Sequence, residues 1–229
     1  MNQAKILDSL FLCDGVGLSC AMSARSGSGK TTLLTRLISD CVEENRFQNQ
    51  RFVYASMKQE TMFGEKVPIT TSTDGVLKAI KKNQIVNFFP TDPARYEEDI
   101  DELIEVIFSL AEENPDSGFH LTIDDANIMS GLSNRGQTSA SVRKLIIAGR
   151  SKGIRSLLIT HRLAHLPRMT NSNLSHLILL SGNSVDSDYG YKVLGMDLED
   201  VIDELGDFRW AVVDLMDEEI YRFQPVTDL

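Results

Sequence analysis

Two rhythms of apolar positions alternate along this chain. Short apolar runs are separated by stretches in which apolar residues recur every three or four positions. The runs predict strands over 17–23, 51–57, 84–89, 119–124, 155–160, 176–180, 208–214 and 219–224. The helical spacing predicts helices over 31–44, 74–81, 95–114, 139–152 and 198–205. In the first of these, Leu33, Leu34, Leu37, Ile38, Cys41 and Val42 share one face. In the third, Tyr96, Ile100, Leu103, Ile104, Ile107, Phe108 and Ala111 form a stripe that reads as core. Alternating strands and helices predict an α/β fold, with a mainly parallel central sheet flanked by helices. The last two strands are joined only by Met216-Asp217-Glu218 and predict a C-terminal β-hairpin. Two polar segments, 130–138 and 181–191, are expected to be mobile loops. Each follows a strand, which puts each near the site expected at the strands' carboxyl ends.

Composition narrows this picture. At 229 residues, with 42% hydrophobic and 24% charged residues, one globular domain spanning 1–229 is expected. Cys13, Cys20 and Cys41 are odd in number and lack CxxC spacing. They argue against a disulfide framework or zinc site and for a reducing compartment. The N-terminus has no long apolar stretch, so no signal peptide is expected, and no run is long enough to span a membrane. The net charge of −10 argues against wrapping nucleic acid with the whole surface. A local basic channel remains open, because charge is segregated along the chain. Arg143, Lys144, Arg150, Lys152, Arg155, Arg162 and Arg168 lie in a stretch without Asp or Glu, whereas 97–113 and 197–207 are strongly acidic.

The sharpest motif follows the first predicted strand: Ser26-Gly27-Ser28-Gly29-Lys30-Thr31-Thr32, opening the first helix. Strand, glycine-rich loop, Gly-Lys-Thr and helix are the context of a phosphate-binding P-loop. Its backbone N–H groups would cradle the β- and γ-phosphates of ATP, and the helix dipole would add to their pull. Lys30 would supply a point charge, and the Thr31 hydroxyl would ligate Mg²⁺. The usual pattern, G-x-x-x-x-G-K-[ST], begins with glycine five residues before the glycine of Gly-Lys; here that position is Ala24. A flexible Gly/Ser turn before a helix is the bland alternative.

A phosphate loop needs a metal-holding carboxylate. The apolar run Phe119-His120-Leu121-Thr122-Ile123 ends in Asp124-Asp125. Asp124 would hold Mg²⁺ through its water shell, and Asp125 would orient or deprotonate the attacking water. Many P-loop ATPases carry Glu at the second position. The helix over 139–152 is expected to end near Gly153, with Arg143 and Arg150 on one face. The next strand runs into Thr160-His161-Arg162, where His161 could touch the γ-phosphate or the attacking water. His161 and His165 are spaced like a metal pair, but no third ligand is evident.

The order of these segments resembles the FtsK/HerA superfamily of DNA-pumping ATPases. The resemblance is carried by the P-loop, Ser56-Met57-Lys58-Gln59-Glu60, Asp124-Asp125, Ala148-Gly149-Arg150-Ser151-Lys152-Gly153-Ile154 and Leu158-Ile159-Thr160-His161-Arg162. Within it, the chain looks like the genome-packaging ATPases of tailless, membrane-containing icosahedral viruses of the tectivirus type. The resemblance implies a RecA-like P-loop NTPase fold, a homo-oligomeric ring, most simply a hexamer, and ATP-driven movement of double-stranded DNA into a preformed capsid. It also implies capsid vertex or portal proteins as partners, and host cytoplasm and virion vertex as location. By the same resemblance Arg150 acts in trans as an arginine finger, and His161 stands where the family has a sensor glutamine. Candidate DNA contacts are Arg135 in the 130–138 loop, Arg162 and Arg168. A cellular or plasmid HerA-like translocase, a filamentous-phage assembly ATPase and a non-catalytic nucleotide-binding regulator are the alternatives.

Overall fold

The computed structural model describes residues 8–11, 17–44, 47–58, 63, 67–129, 139–165, 170, 173–182, 184–205 and 209–224. Its strands are β1 (Ser19–Ser23), β2 (Gln50–Ala55), β3 (Ile69–Thr70), β4 (Ile85–Phe88), β5 (Gly118–Ile123), β6 (Ile154–Thr160), β7 (His176–Leu179), β8 (Trp210–Asp214) and β9 (Glu219–Phe223). They form one sheet in the order β3-β4-β2-β5-β6-β1-β7-β8-β9. From β3 through β7 in that order every pairing is parallel. The β7–β8 and β8–β9 pairings are antiparallel, the latter being the expected hairpin.

The helices are α1 (Lys30–Glu43), α2 (Thr73–Ile80), α3 (Tyr96–Glu113), α4 (Ala126–Met129), α5 (Ala140–Ala148), α6 (Ser184–Tyr189) and α7 (Glu199–Glu204). Alternation along each strand sorts side chains between two cores. Cys20, Met22, Phe52, Tyr54, Leu157, Ile159 and Ile178 pack with α1 on one face. Ala21, Val53, Leu121, Ile123, Leu158 and Leu177 pack on the other face with α2, α3, α5 and α7. Being covered on both sides, β5 and β6 are buried throughout, as parallel strands must be. Local signals agree with these boundaries. Ser72 and Ser139 cap α2 and α5 by accepting from the Gly75 and Val142 N–H groups. Glu97, Glu98 and Asp99 sit in the first turn of α3, where its dipole favours them. Gly153, at φ 67°, reverses the chain into β6.

Three expectations change. Most of the predicted loop over 181–191 is helical: α6 runs on into a π-helical turn, Gly190–Leu194. The cause is tertiary. Asp186, 1% exposed, accepts the Leu163 N–H at 2.9 Å, and Gly190 lies so close to Leu198 that a Cβ there would sit 2.6 Å from it. Secondly, the helix expected over 139–152 is α5 followed by a 3₁₀ turn, Gly149–Lys152, that carries Arg150. Thirdly, part of the basic segment is paired or buried. Lys144 pairs with Glu105 at 2.6 Å and Lys152 with Glu112 at 2.9 Å, both across to α3. Arg155 is buried, donating to the Ser9 carbonyl at 2.6 Å. Arg143, Arg150 and Arg162 stay exposed. The loop over 130–138, with Arg135, lies outside the described residues, as do Cys13 and Arg168. No helix among the described residues is long and apolar enough to cross a membrane.

At the amino edge of the sheet sits a buried polar group. His120 Nε2 lies 2.9 Å from Gln50 Oε1, and its ring stacks on Phe52 at 4.4 Å. His176 meets Ser9 Oγ at 2.6 Å, Ser175 Oγ at 3.1 Å and the Asp214 carboxylate at 3.5 Å. Burial, helped by the nearby Arg155 charge, holds the His120 pKa well below its usual value. Burial also lowers that of His176, against the opposing pull of Asp214.

Candidate functional site

The site assembles at the opposite, carboxyl edge. β1 ends at Ser23, and the buried Ala24 N–H donates to the Thr160 carbonyl at 2.9 Å. Asp125 and Glu218 are the positive-φ residues other than glycine among the described residues, so Ala24 adopts ordinary backbone. The missing glycine therefore carries no conformational cost there. The left-handed positions fall at Gly27 (φ 78°) and Gly29 (φ 82°). Ser28 closes the turn with its N–H and hydroxyl on the Arg25 carbonyl, at 3.2 and 2.7 Å. From outside, the Arg25 N–H donates to Ser181 Oγ at 2.7 Å and its guanidinium to the Gly182 carbonyl at 2.9 Å. These bonds tie the loop to the end of β7. Gly29 then starts α1 with no side-chain cap and no acid in the first turn. The leading N–H groups of this helix, at Lys30, Thr31 and Thr32, are left for a ligand.

Four predicted residues come together here. Lys30, 8% exposed, places Nζ 2.7 Å from Asp124 Oδ1 and 4.0 Å from Asp125 Oδ1. Asp124 Oδ1 also accepts the Asp125 N–H at 2.9 Å, and Oδ2 accepts the Tyr54 hydroxyl at 2.8 Å. Asp125 is held in the left-handed region at φ 46°, a strained conformation for a residue with a side chain. His161 Nε2 approaches Asp125 Oδ1 to 2.9 Å, and its Nδ1 lies 3.3 Å from the Ala24 carbonyl. That approach lacks hydrogen-bond alignment, so the buried Asp125 Oδ1 has no hydrogen-bond partner. β6 lies between β1 and β5. This order sets Thr160-His161 between the loop and the acids.

Arg150 is not part of this cluster. Its carbonyl accepts the Gly17 N–H at 2.8 Å, beside the start of β1 and at the far end of the sheet from Lys30. β6 spans seven residues, so the two ends are about 20 Å apart. His165 lies in the 3₁₀ turn Leu163–His165, and no group of three potential His, Cys, Asp or Glu metal ligands occurs among the described residues. The sequence reading missed Tyr54 and the Arg25 tether. Tyr54 has the parity of core residues in its own strand, and only the β2–β5 register aims it at Asp124. No sequence signal carries that register.

The donors suit the groups expected. Hydroxyl and carboxylate oxygens are hard ligands, and few protein ligands is the pattern of Mg²⁺ that keeps waters and phosphate oxygens. Asp124, buried at the end of β5, supplies such a carboxylate, and Thr31 in the first turn of α1 such a hydroxyl. Beyond Gly27 a Cβ would meet nothing within 4 Å, so the loop faces open space.

A glycine loop at the carboxyl end of β1, paired acids at that of β5 and β6 between them define a RecA-like P-loop NTPase fold. Solved structures share it. The DNA-packaging ATPase B204 of Sulfolobus turreted icosahedral virus is similar with a TM-score of 0.74 at 15% identity, over 91% of this chain and 98% of that one. The genome packaging NTPase B204 of Sulfolobus turreted icosahedral virus 2, in complex with ATP-gammaS, gives 0.71 at 14%, over 92% and 98%. The cytoplasmic domain of the type VII secretion ATPase EccC of Thermomonospora curvata gives 0.63 at 16%, over 91% of this chain and a quarter (25%) of that one. No protein-family model and no curated protein sequence matches this chain.

Proposed function

We propose that this protein is an ATP-hydrolysing motor that translocates double-stranded DNA, packaging a viral genome into a preformed capsid. One observation carries the reading: a Lys30–Asp124–Asp125–His161 cluster beside an open glycine loop. Its support is a fold shared end to end with packaging ATPases of similar length.

The roles follow from position. N–H groups of Ser26, Gly27, Ser28, Gly29, Lys30, Thr31 and Thr32 hold the phosphates of ATP. Lys30 exchanges Asp124 for the phosphates, which frees Asp124 Oδ1. Asp124 and the Thr31 hydroxyl would hold Mg²⁺, which would neutralise phosphate charge. Asp125 keeps an oxygen free of hydrogen bonds, suited to orient a water and take its proton. His161 bridges that carboxylate and the base of the loop, so it can report nucleotide state to the following turn. Arg150 sits too far from its own Lys30 to serve it, which leaves the site of a neighbouring copy in a homo-oligomeric ring, such as a hexamer. Grip on DNA falls to phosphate contacts by Arg162 and residues such as Arg135 and Arg168, so binding is independent of sequence and weakens with salt. Portal or capsid vertex proteins are the expected docking partners, in host cytoplasm and at the virion vertex.

The test is ATP hydrolysis by the purified chain with and without double-stranded DNA. Hydrolysis that DNA stimulates, and that Lys30→Ala abolishes, is expected. Hydrolysis indifferent to DNA would overturn translocation, and no hydrolysis at all would overturn the motor.

A further inference from the structure

Asp124 is gripped from both sides, and one grip comes from outside the motifs. Oδ1 faces Lys30 Nζ at 2.7 Å and the Asp125 N–H at 2.9 Å, whereas Oδ2 accepts only the Tyr54 hydroxyl, at 2.8 Å, among the hydrogen bonds shown. The two residues are 3% exposed each. Parallel pairing sets Tyr54 opposite Thr122, two residues before Asp124 on the same face of β5, and the Asp124 N–H donates to the Ala55 carbonyl at 2.9 Å. The Tyr54 ring is enclosed by the second core and meets Phe63 edge-on at 6.1 Å. Its hydroxyl therefore has one direction to point.

The two grips differ in permanence. A lysine that turns to phosphate leaves Oδ1 with the Asp125 N–H, a bond from the next residue of the same chain segment, whereas the Tyr54 bond to Oδ2 comes from a separate strand. A buried tyrosine cannot leave. We infer that Tyr54 is a positioning residue for the metal: it fixes Oδ2 so that the oxygen released by Lys30 is presented to Mg²⁺. This inference rests on the P-loop reading above. Partners of this kind behind a metal ligand are worth about 10–100-fold in metal affinity.

The experiment uses the full chain, with Mn²⁺ as a paramagnetic stand-in for Mg²⁺ and its free concentration read by electron paramagnetic resonance in the presence of ADP. Tyr54→Phe removes only the hydroxyl. It is expected to weaken Mn²⁺ binding about 10–100-fold, while metal-free nucleotide affinity, measured in EDTA with a fluorescent ATP analogue, stays within about twofold. Mn²⁺ affinity equal to wild type overturns the inference, and so does an equal loss of metal and metal-free binding, which marks a damaged fold. Should the unpartnered Asp124 oxygen stop Tyr54→Phe from folding, the pair Tyr54→Phe/Asp124→Asn replaces the buried charge by a neutral amide, which costs less to leave without that bond. Its Mn²⁺ affinity is expected to equal that of Asp124→Asn alone, and any further loss means that Tyr54 does not act through Asp124. A wild-type chain that binds no nucleotide overturns the P-loop reading itself, a result distinct from wild-type binding that Tyr54→Phe leaves untouched.

Discussion

The two edges of the sheet both bury ionisable side chains, and they treat them differently. At the amino edge His120, Arg155 and His176 are matched by Gln50, the Ser9 carbonyl and hydroxyl, Ser175 and Asp214. Each of these three side chains has a hydrogen-bond or ion-pair partner. At the carboxyl edge Asp125 has a positive φ and a buried oxygen without a hydrogen-bond partner, and two carboxylates share one lysine. Buried polarity alone thus says little about function. What marks the carboxyl edge is coincidence: a left-handed backbone and an oxygen without a hydrogen bond fall on one residue beside the glycine loop.

The comparison can be broken in four places. The largest effect is expected at Arg150, which belongs to neither edge's network. Arg150→Ala should retain ATP binding and lose turnover by roughly 10³-fold or more if it serves a neighbour's site. Mixing Arg150→Ala with Lys30→Ala subunits should restore part of the activity. Mixed rings that stay inactive would return Arg150 to a structural role. Next comes Asp125. Asp125→Gly should lower turnover by about 10²–10⁴-fold, the usual worth of a general base. It should also raise stability by about 0.5–1 kcal/mol, because glycine accepts the left-handed backbone. Denaturant titration would read a loss of stability as evidence against strain.

The amino edge makes the opposite prediction. Folded-state pKa values of His120 and His176 lie below the unfolded value near 6.5, so the unfolded chain binds more protons in acid. Stability should be full above that value and fall as pH drops below it, by up to about 1.4 kcal/mol per pH unit for each histidine. His120→Gln should make this decline shallower, and a stability independent of pH between 7.5 and 5.5 would contradict buried neutral rings. The smallest effect is expected between the edges. Lys144, paired with Glu105 and lying 4.4 Å over the Phe108 ring, is largely exposed. Lys144→Ala should cost less than about 1 kcal/mol and leave hydrolysis unchanged.

Most strands and the longer helices were legible because the parallel sheet writes itself as unbroken apolar runs and its helices as one-sided stripes, whereas the two-residue β3 and four-residue α4 are too short to carry a pattern. The Lys30, Asp124 and His161 cluster was legible for a related reason: each ends or follows an element whose boundary the sequence marks. What stayed hidden depends on register or on contacts remote in sequence. Tyr54 points at Asp124 only through the β2–β5 pairing. The helix over Ser184–Tyr189 looks like a loop until Asp186 is seen docked under Leu163. The pairing of Lys144 and Lys152 was hidden because the sequence does not show α3 lying alongside with its glutamates facing the lysines.

The position of β1 also bears on how the chain matures. Its two neighbours in the sheet are β6 and β7, so the strand carrying the glycine loop waits for partners encoded far downstream. From Ser23 to Leu179 a ribosome moving at about 5–20 residues per second needs on the order of ten to thirty seconds. Until β6 is made, β2, β4 and β5 have partners among themselves, while β1 has neither of its two. Nascent chains halted before β6 are therefore expected to hold no nucleotide, and binding to ATP-agarose should first appear once β7 has left the exit tunnel. The chain's most recognisable segment is among the first made and among the last to find its place.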